Sequence, residues 1–211
     1  MSAGPTREYL DDVRFLSSPS TGRMGFALAN SFARAGHVVS LITGPSEETP
    51  PSGVEVVRVE SASEMRREIL RRSKHADAVL MSAAVSDFRP RKRLSGKVKK
   101  SSVPLLLKLV PTPDILGELG RRKSPGATRS GEKDQLLVGF ALEVGNGLAS
   151  AARKLREKNL DFIVANGPAT FGSDRITCTL LGRDGSRRNF KNVTKKSLAE
   201  VILRLVCDRL G

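Results

Sequence analysis

The stretch that decides the fold is Ala78-Val79-Leu80-Met81-Ser82-Ala83-Ala84-Val85-Ser86-Asp87. Its first four residues form a continuous apolar run, which predicts a strand buried on both faces. Small residues follow where that strand ends, and small side chains let a ligand approach the backbone closely. The carboxylate of Asp87 and the basic segment Gly96-Lys97-Val98-Lys99-Lys100 come next, without a core pattern. This combination indicates a site for a highly charged ligand such as a nucleoside triphosphate.

Further apolar runs alternate with helical patterns along the chain. The predicted strands are residues 38–42, 54–59, 78–81, 105–110, 136–140 and 162–165, and the predicted helices are residues 26–35, 64–73, 114–122, 148–158 and 198–210. Strands that are apolar throughout are typical of a parallel sheet covered by helices. Residues 176–181 and the turn that follows them predict a hairpin. We therefore expect an α/β protein: one three-layer Rossmann-like domain over residues 1–211, with a mostly parallel central sheet and a C-terminal hairpin.

Composition bounds the class of protein. The chain has 211 residues and a formal net charge of +14. No apolar stretch approaches the roughly 20 residues that a membrane span needs, and the N-terminus has no apolar signal region. Cys178 and Cys207 lack the spacing of a zinc site or a disulfide framework. We expect a cytoplasmic protein with reduced thiols and no membrane partner.

The positive charge raises the alternative of a nucleic-acid partner. The basic residues are dispersed, and aromatic residues do not alternate with them as stacking on single strands requires. A basic surface around an enzyme for anionic substrates explains the charge better. Steeply salt-dependent binding to DNA would favour the alternative.

The segment Ser20-Thr21-Gly22-Arg23-Met24-Gly25 precedes a predicted helix. Free N–H groups at a helix start attract phosphate, so this segment is a candidate phosphate site. It lacks the GxGxxG spacing of a dinucleotide fingerprint, and no acid ends the strand at residues 38–42. With Tyr9 as the sole tyrosine, a Tyr-xxx-Lys pair is also absent. An NAD(P)-dependent reductase therefore fits the fold but not the motifs.

Three later motifs have both a functional and an ordinary interpretation. Asp114 in Pro113-Asp114-Ile115-Leu116 favours the positive end of a helix, whether or not a ligand binds there. Phe140 could stack on a base or belong to the core. Lys154 and Lys158 share one helical face, where they repel each other unless an anion lies between them or solvent screens them.

Taken in order, the motifs are similar to those of the phosphopantothenate–cysteine ligase family, which forms the C-terminal half of the bifunctional DNA/pantothenate metabolism flavoprotein. The resemblance covers Ala3 to about Leu210. The segments that carry it are Gly-Pro-Thr-Arg-Glu, Val-Arg-Phe-Leu-Ser, Ser-Thr-Gly-Arg-Met-Gly, Ala-Ala-Val-Ser-Asp-Phe-Arg-Pro, Lys-Val-Lys-Lys, Pro-Asp-Ile-Leu, Val-Gly-Phe-Ala-Leu-Glu and Lys-Asn-Leu-Asp-Phe-Ile-Val-Ala-Asn.

The resemblance implies an activity in coenzyme A biosynthesis. The family joins 4′-phosphopantothenate to cysteine through an acyl-nucleotide. Bacterial members use CTP with Mg²⁺, and eukaryotic members typically use ATP. The resemblance further implies a homodimer, no flavin, and a separate phosphopantothenoylcysteine decarboxylase that takes the product.

The resemblance also implies roles for individual residues. It implies three catalytic residues. Lys97 would close over the triphosphate from a flexible flap of about residues 88–103. Ser18 would face the acyl intermediate, and Arg14 would lie near the phosphopantothenate. No metal ligand is assigned. The implied nucleotide-binding residues are Ser20, Gly22, Met81, Ser82, Ala83, Asp87, Lys97, Pro113, Asp114, Ile115, Leu116, Phe140, Lys154 and Lys158.

The chain departs from the family pattern at three places. Ser18 replaces an asparagine and lacks that amide's two donors, so a water fills the gap or the second half-reaction slows. Arg23 replaces a lysine and keeps the charge with a different geometry. The sequence also begins inside the expected first strand. Either translation starts further upstream, or the first strand is shortened. A nucleotide-binding protein with impaired or lost ligase activity is therefore a further alternative.

Overall fold

A computed structural model describes residues 1–100, 105–123, 135–143 and 147–211. An eight-stranded sheet runs through its centre. In chain order its strands are β1 (Ser2–Ala3), β4 (Ser40–Thr43), β5 (Glu55–Arg58), β6 (Ala78–Met81), β9 (Leu136–Leu142), β10 (Phe162–Asn166), β11 (Arg175–Gly182) and β12 (Arg187–Thr194). Two small two-stranded sheets pair β2 (Glu8–Tyr9) with β3 (Phe15–Leu16) and β7 (Phe88–Pro90) with β8 (Leu109–Pro111). The helices are α1 (Arg23–Arg34), α2 (Ala62–Ser73), α3 (Ile115–Arg122), α4 (Gly147–Glu157) and α5 (Lys195–Leu210).

The order of strands across the sheet is β12-β11-β10-β9-β6-β1-β4-β5. From β5 to β10 all neighbours are parallel, whereas β11 and β12 add an antiparallel hairpin at one edge. The predicted fold class, including the mostly parallel sheet and the C-terminal hairpin, is confirmed. The two-residue strand β1 lies between β4 and β6, with Ser2 opposite Ile42 on one side and Met81 on the other.

Helices cover both faces of the sheet because successive strand residues point to opposite faces. On one face Leu41, Leu80 and Val138 belong to a core with residues of α1 and α5. Their neighbours Ile42 and Val79 join a second core with residues of α2, α3 and α4. These two cores make the three layers, and they explain why central strands such as β6 and β10 have apolar residues at successive positions. No helix within the described residues is long and apolar enough to cross a membrane.

The structure corrects several details of the sequence expectations. The helix predicted over residues 64–73 begins earlier, at Ala62, because the Ser61 Oγ caps it by accepting the N–H of Glu64 at 3.2 Å. The helix predicted over residues 114–122 begins at Ile115, and Asp114 is its cap. Residues 105–110 do not add a strand to the central sheet, because β6 pairs directly with β9 and leaves no position between them. The sequence also predicts a weakly structured segment at residues 123–134, of which residues 124–134 lie outside the described part of the chain.

Gly25 sets the distance between α1 and the centre of the sheet. A Cβ at this position would lie 2.4 Å from the Ala3 Cβ, 2.7 Å from the Ser2 carbonyl oxygen and 2.8 Å from the Ser82 Oγ. The Ser2 carbonyl oxygen belongs to the backbone, and the Ala3 Cβ is attached directly to it. Neither atom can therefore rotate away. Only glycine therefore lets α1 pack this closely on β1.

We predict that Gly25→Ala lowers the free energy of unfolding by about 1–3 kcal/mol, the usual cost of overpacking. Urea denaturation measures this change. Gly167→Ala is the control, because its Cβ would meet open space and its backbone is extended; its effect should stay within about 0.5 kcal/mol. Equal stability of the two variants would contradict the close packing described for α1.

Candidate functional site

A cleft of about 680 Å³ lies beside the C-terminal ends of β6, β9 and β10. The starts of α1 and α3 also line it. So do Lys154 in α4 and Lys158 directly after that helix, which together are called the α4 lysines. In open α/β sheets, ligands bind outside the carboxyl ends of the strands. The fold therefore places the cleft where a ligand site of this architecture is expected.

The start of α1 faces the cleft through Gly22, Arg23 and Met24. Gly22 has φ of 85°, a left-handed conformation that costs glycine little. No side chain caps this helix start. Free backbone N–H groups and the helix dipole at such a position favour a phosphate or another anion.

The end of β6 is held in place by hydrogen bonds to buried residues near the chain start. The Ser82 hydroxyl donates to the Ser2 carbonyl oxygen at 2.7 Å, and the Ala83 N–H donates to the Ser2 Oγ at 3.1 Å. Four residues further on, the Ser86 N–H donates to the Thr6 Oγ1 at 2.9 Å. These contacts fix the small-residue segment that forms one wall of the cleft.

The opposite wall carries two lysines of one helical face, as the sequence predicted, and each has an acidic partner. The Lys154 Nζ lies 2.8 Å from the Glu143 Oε1, and the Lys158 Nζ lies 2.8 Å from the Asp114 Oδ1. Asp114 also accepts the Gly117 N–H at 3.0 Å as the cap of α3. Burial opposes ionisation of Asp114, but the bonds from Lys158 and Gly117 outweigh it and hold the pKa of this carboxyl below its ordinary value. Carboxylates thus relieve the repulsion between the lysines.

The cleft brings together most of the predicted nucleotide-binding residues. Those that line it are Gly22, Met81, Ser82, Ala83, Asp87, Pro113, Asp114, Ile115, Leu116, Phe140, Lys154 and Lys158. Ser20 instead lines a neighbouring cleft of about 840 Å³, together with Arg7 and Arg58. Ser18 lines both clefts, and its buried hydroxyl has no hydrogen-bond partner among the described residues. Ser18 therefore marks the junction of the two clefts.

Arg14 and Lys97 line neither of these clefts but meet in one network. The Gly96 N–H donates to Asp12 at 2.7 Å, and the Val98 N–H donates to the buried Asp11 at 3.2 Å. The backbone on both sides of Lys97 is therefore held by two successive carboxylates. Arg14 extends this network by donating to Asp11 and to the Val98 carbonyl oxygen. Of the predicted flap, residues 101–103 lie outside the described part of the chain.

Three residues that the sequence analysis did not single out also line the cleft: Asn166, Phe171 and Lys195. Asn166 and Phe171 flank the short helical turn Pro168–Thr170, and Lys195 begins α5. Nothing in the sequence pointed to Phe171 or Lys195, because only the strand order brings the loop after β10 and the start of α5 to this cleft. The motif at residues 158–166 could have pointed to Asn166.

The described residues contain no group of three or more His, Cys, Asp or Glu side chains that could hold a metal ion. Asp87 and Asp114 are carboxylates of the cleft wall. Among the ion pairs of the described segments, Asp114 has a lysine partner and Asp87 takes part in none. Mg²⁺ is commonly bound by one or two carboxylates together with substrate phosphates, and Asp87 fits that arrangement.

A Rossmann-like sheet with an uncapped helix start and lysines at its carboxyl edge is typical of α/β proteins that bind phosphorylated ligands. The particular family follows from comparison with known proteins. The chain belongs to the family described as the DNA/pantothenate metabolism flavoprotein C-terminal domain, whose model matches residues 1–210.

Individual relatives agree with this assignment. The chain is 40% identical over 209 residues to the coenzyme A biosynthesis bifunctional protein CoaBC of Bacillus subtilis, covering 97% of this chain and 49% of that protein. It is 38% identical over 211 residues to a protein of an unidentified prokaryote named cysteine/cysteine sulfinic acid decarboxylase, covering 98% of this chain and 56% of the relative. The chain thus spans about half the length of these curated relatives, so their names alone do not assign an activity to the matched half.

A solved structure matches the chain along almost its whole length. The crystal structure of the C-terminal domain of CoaBC superimposes with a TM-score of 0.81 at 35% identity, covering 99% of this chain and 93% of that one. The similarity therefore extends over nearly all of this chain and most of that domain.

We predict that Asp114→Ala lowers the free energy of unfolding at pH 7 by about 1 kcal/mol, the usual cost of losing a helix cap. Because the folded pKa of Asp114 is depressed, its stabilisation is present above the ordinary value of 3.8 and is lost as the pH falls through the folded pKa. The difference between wild type and variant should therefore shrink below about pH 4.

Urea denaturation from pH 3 to pH 8 measures this dependence. Asp114→Asn is the matched control, since asparagine caps helices equally well but carries no charge for Lys158. It should lose less stability than Asp114→Ala at pH 7. A difference between wild type and Asp114→Ala that does not change with pH would contradict the assigned ionisation.

Proposed function

We propose that this chain joins 4′-phosphopantothenate to cysteine, using CTP and Mg²⁺, in coenzyme A biosynthesis. The observation that carries the proposal is the cleft at the carboxyl edge of the sheet, whose wall residues coincide with the motifs that resemble the ligase family. Membership of the DNA/pantothenate metabolism flavoprotein C-terminal domain family supports it, as does the likeness to the C-terminal domain of CoaBC.

The reaction needs an activated carboxylate, because a free carboxylate is a poor electrophile. In the first step a carboxylate oxygen of phosphopantothenate attacks the α-phosphorus of the nucleotide, and pyrophosphate leaves. In the second step the cysteine amine attacks the acyl carbon, the nucleoside monophosphate leaves, and the amine loses a proton. The charge that develops on the phosphates is neutralised by cations, a role that suits Lys97, Lys154 and Lys158.

We assign the nucleotide to the cleft lined by Met81–Ala83, Phe140 and the α4 lysines, and the acyl substrate to the side of Ser18 and Arg14. Bound Mg²⁺ would neutralise phosphate charge, with Asp87 as its protein ligand. Lys97 would reach the triphosphate from the flap once its segment moves away from Asp11 and Asp12. The likeness of the motif set to bacterial members supports the choice of CTP over ATP in this proposal.

We further propose that the chain acts as a cytoplasmic homodimer and that its product is the substrate of a phosphopantothenoylcysteine decarboxylase. The hairpin of β7 and β8 supports a second copy, because it exposes apolar side chains. Phe88 is 52% exposed and Leu106, just before β8, is 91% exposed. Such a surface favours contact with another protein surface.

The test is pyrophosphate release by the purified protein. We expect release with CTP that depends on phosphopantothenate, and formation of the cysteine amide only when cysteine is also present. Replacing CTP by ATP decides the nucleotide. Lys97→Ala should slow release at least about tenfold if Lys97 contributes transition-state charge stabilisation. Absence of pyrophosphate release with either nucleotide would refute the ligase proposal.

Ser18 allows a second test, which locates any defect within the reaction. Its shorter side chain offers one hydroxyl where the family asparagine offers an amide with two donors. We expect acyl-nucleotide to accumulate in the wild type and Ser18→Asn to speed its consumption by cysteine, measured by rapid quench and mass spectrometry. Ser17→Asn is the control at the adjacent position. No gain with Ser18→Asn would contradict a role for position 18 in the second step.

A further inference from the structure

Four cationic side chains line the cleft: Arg23, Lys154, Lys158 and Lys195. Three of them have carboxylate partners within 4.0 Å. Arg23 contacts Glu48 and Asp174, and the α4 lysines contact Glu143 and Asp114. No such ion pair involves Lys195 within the segments that the structure describes. Lys195 therefore differs from the other cations of this wall.

Lys195 is also the most buried of these cations, with 9% of its surface exposed. It begins α5, whose cap is Thr194, so the backbone of the residue is held firmly. Its Nζ donates to the Thr170 carbonyl oxygen at 3.1 Å. An ammonium group has three donors, so this single bond leaves two of them available. Burying a cation in this state is costly unless an anion compensates for the lost solvation.

The electrostatic surroundings agree with this description. Burial lowers the pKa of Lys195, and the charge of the Arg23 guanidinium lowers it further, while the carboxylates of Asp174 and Glu48 act in the opposite direction. Surroundings that lower the pKa of a lysine destabilise its charged form. A bound anion stabilises that charged form, so such a lysine contributes strongly to binding an anion.

We propose that Lys195 binds a phosphate oxygen of the nucleotide at the end of the cleft formed by the start of α1 and the loop after β10. This inference rests on the proposed function for the identity of the ligand. Gly22, Arg23, Thr170 and Gly172 line the cleft with Lys195. An anion there meets the Lys195 ammonium, the Arg23 guanidinium and the positive end of the α1 dipole.

A purely structural role would be to support the loop after β10 through the Thr170 carbonyl oxygen. That bond needs one neutral donor and no charge, and a glutamine amide can supply it. The two roles therefore predict different results for substitutions that keep a donor but remove the charge.

The experiment compares Lys195→Gln, Lys195→Arg and the wild type, with Lys196→Gln as the control. Lys196 is the next residue of α5 and is exposed. Calorimetry measures CTP affinity, and NMR titration measures the affinity of cytidine, which has the base but no phosphate. We expect Lys195→Gln to weaken CTP binding about tenfold to a hundredfold, the range of one lost charge-assisted hydrogen bond, and to leave cytidine binding unchanged. Lys195→Arg should stay within about threefold of wild type.

Lys196→Gln should behave as wild type. CTP binding by Lys195→Gln within threefold of wild type overturns the proposal. An equal loss for CTP and cytidine also overturns it, because that pattern marks a loop that has lost its support. If Lys195→Gln does not fold, as judged by its circular dichroism and melting temperature, Lys195→Asn replaces it and is read in the same way, because it also keeps an amide donor and removes the charge.

The result is separable from the failure of the proposed function. If the wild type binds neither CTP nor ATP, the ligase proposal fails, and inorganic pyrophosphate becomes the probe. Pyrophosphate binding that Lys195→Gln abolishes would still support an anion site at Lys195. A wild type that does not bind pyrophosphate either would overturn that site.

Discussion

The close approach of α1 to the centre of the sheet is the constraint on which the rest of the structure depends. Gly25 has no side chain, so the helix lies directly against Ser2 and Ala3 of β1. Ser2 in turn accepts, at its carbonyl oxygen and its Oγ, the two hydrogen bonds that fix Ser82 and Ala83 at the end of β6. The absence of a Cβ at Gly25 thus links the start of α1 to the end of β6, which forms one wall of the cleft. The packing of backbone elements therefore sets the distance between the start of α1 and the end of β6. Loops alone would hold this distance less rigidly.

The cleft is basic in composition but largely neutralised by its own acids. Glu143, Asp114, Glu48 and Asp174 each lie against a cation of the wall. An arriving phosphate must share these cations with the carboxylates or displace them, which lowers the affinity for anions in general. A ligand that also fills the apolar part of the cleft beside Phe140 gains additional contacts and is preferred. This arrangement favours recognition of a whole nucleotide over recognition of phosphate alone.

Much of the fold could be predicted from sequence, because its signals are local or periodic. The apolar run at residues 78–81 is a strand with the predicted bounds, and Asp114 stands beside the start of its helix as its position suggested. The prediction that residues 105–110 form a strand of the central sheet was wrong, because hydrophobicity does not indicate which strands become neighbours. Lys195 could not be found, because its environment is created by α1 and by the loop after β10, far away in the chain. Ser18 could be flagged only by comparison with a family motif, and its position between two clefts needed the structure.

The pair Asp11 and Asp12 grips the flap by its main chain. Asp11 accepts the backbone N–H of Val98, and Asp12 accepts that of Gly96. The side chains of Lys97 and of the lysines after Val98 therefore hardly affect these two hydrogen bonds. Mutations can therefore exchange the lysines of this segment without detaching it from the body of the protein. The side chains of this segment, and with them its charge, can therefore change during evolution without changes in Asp11 and Asp12. A different charged ligand would then require no changes in the rest of the domain.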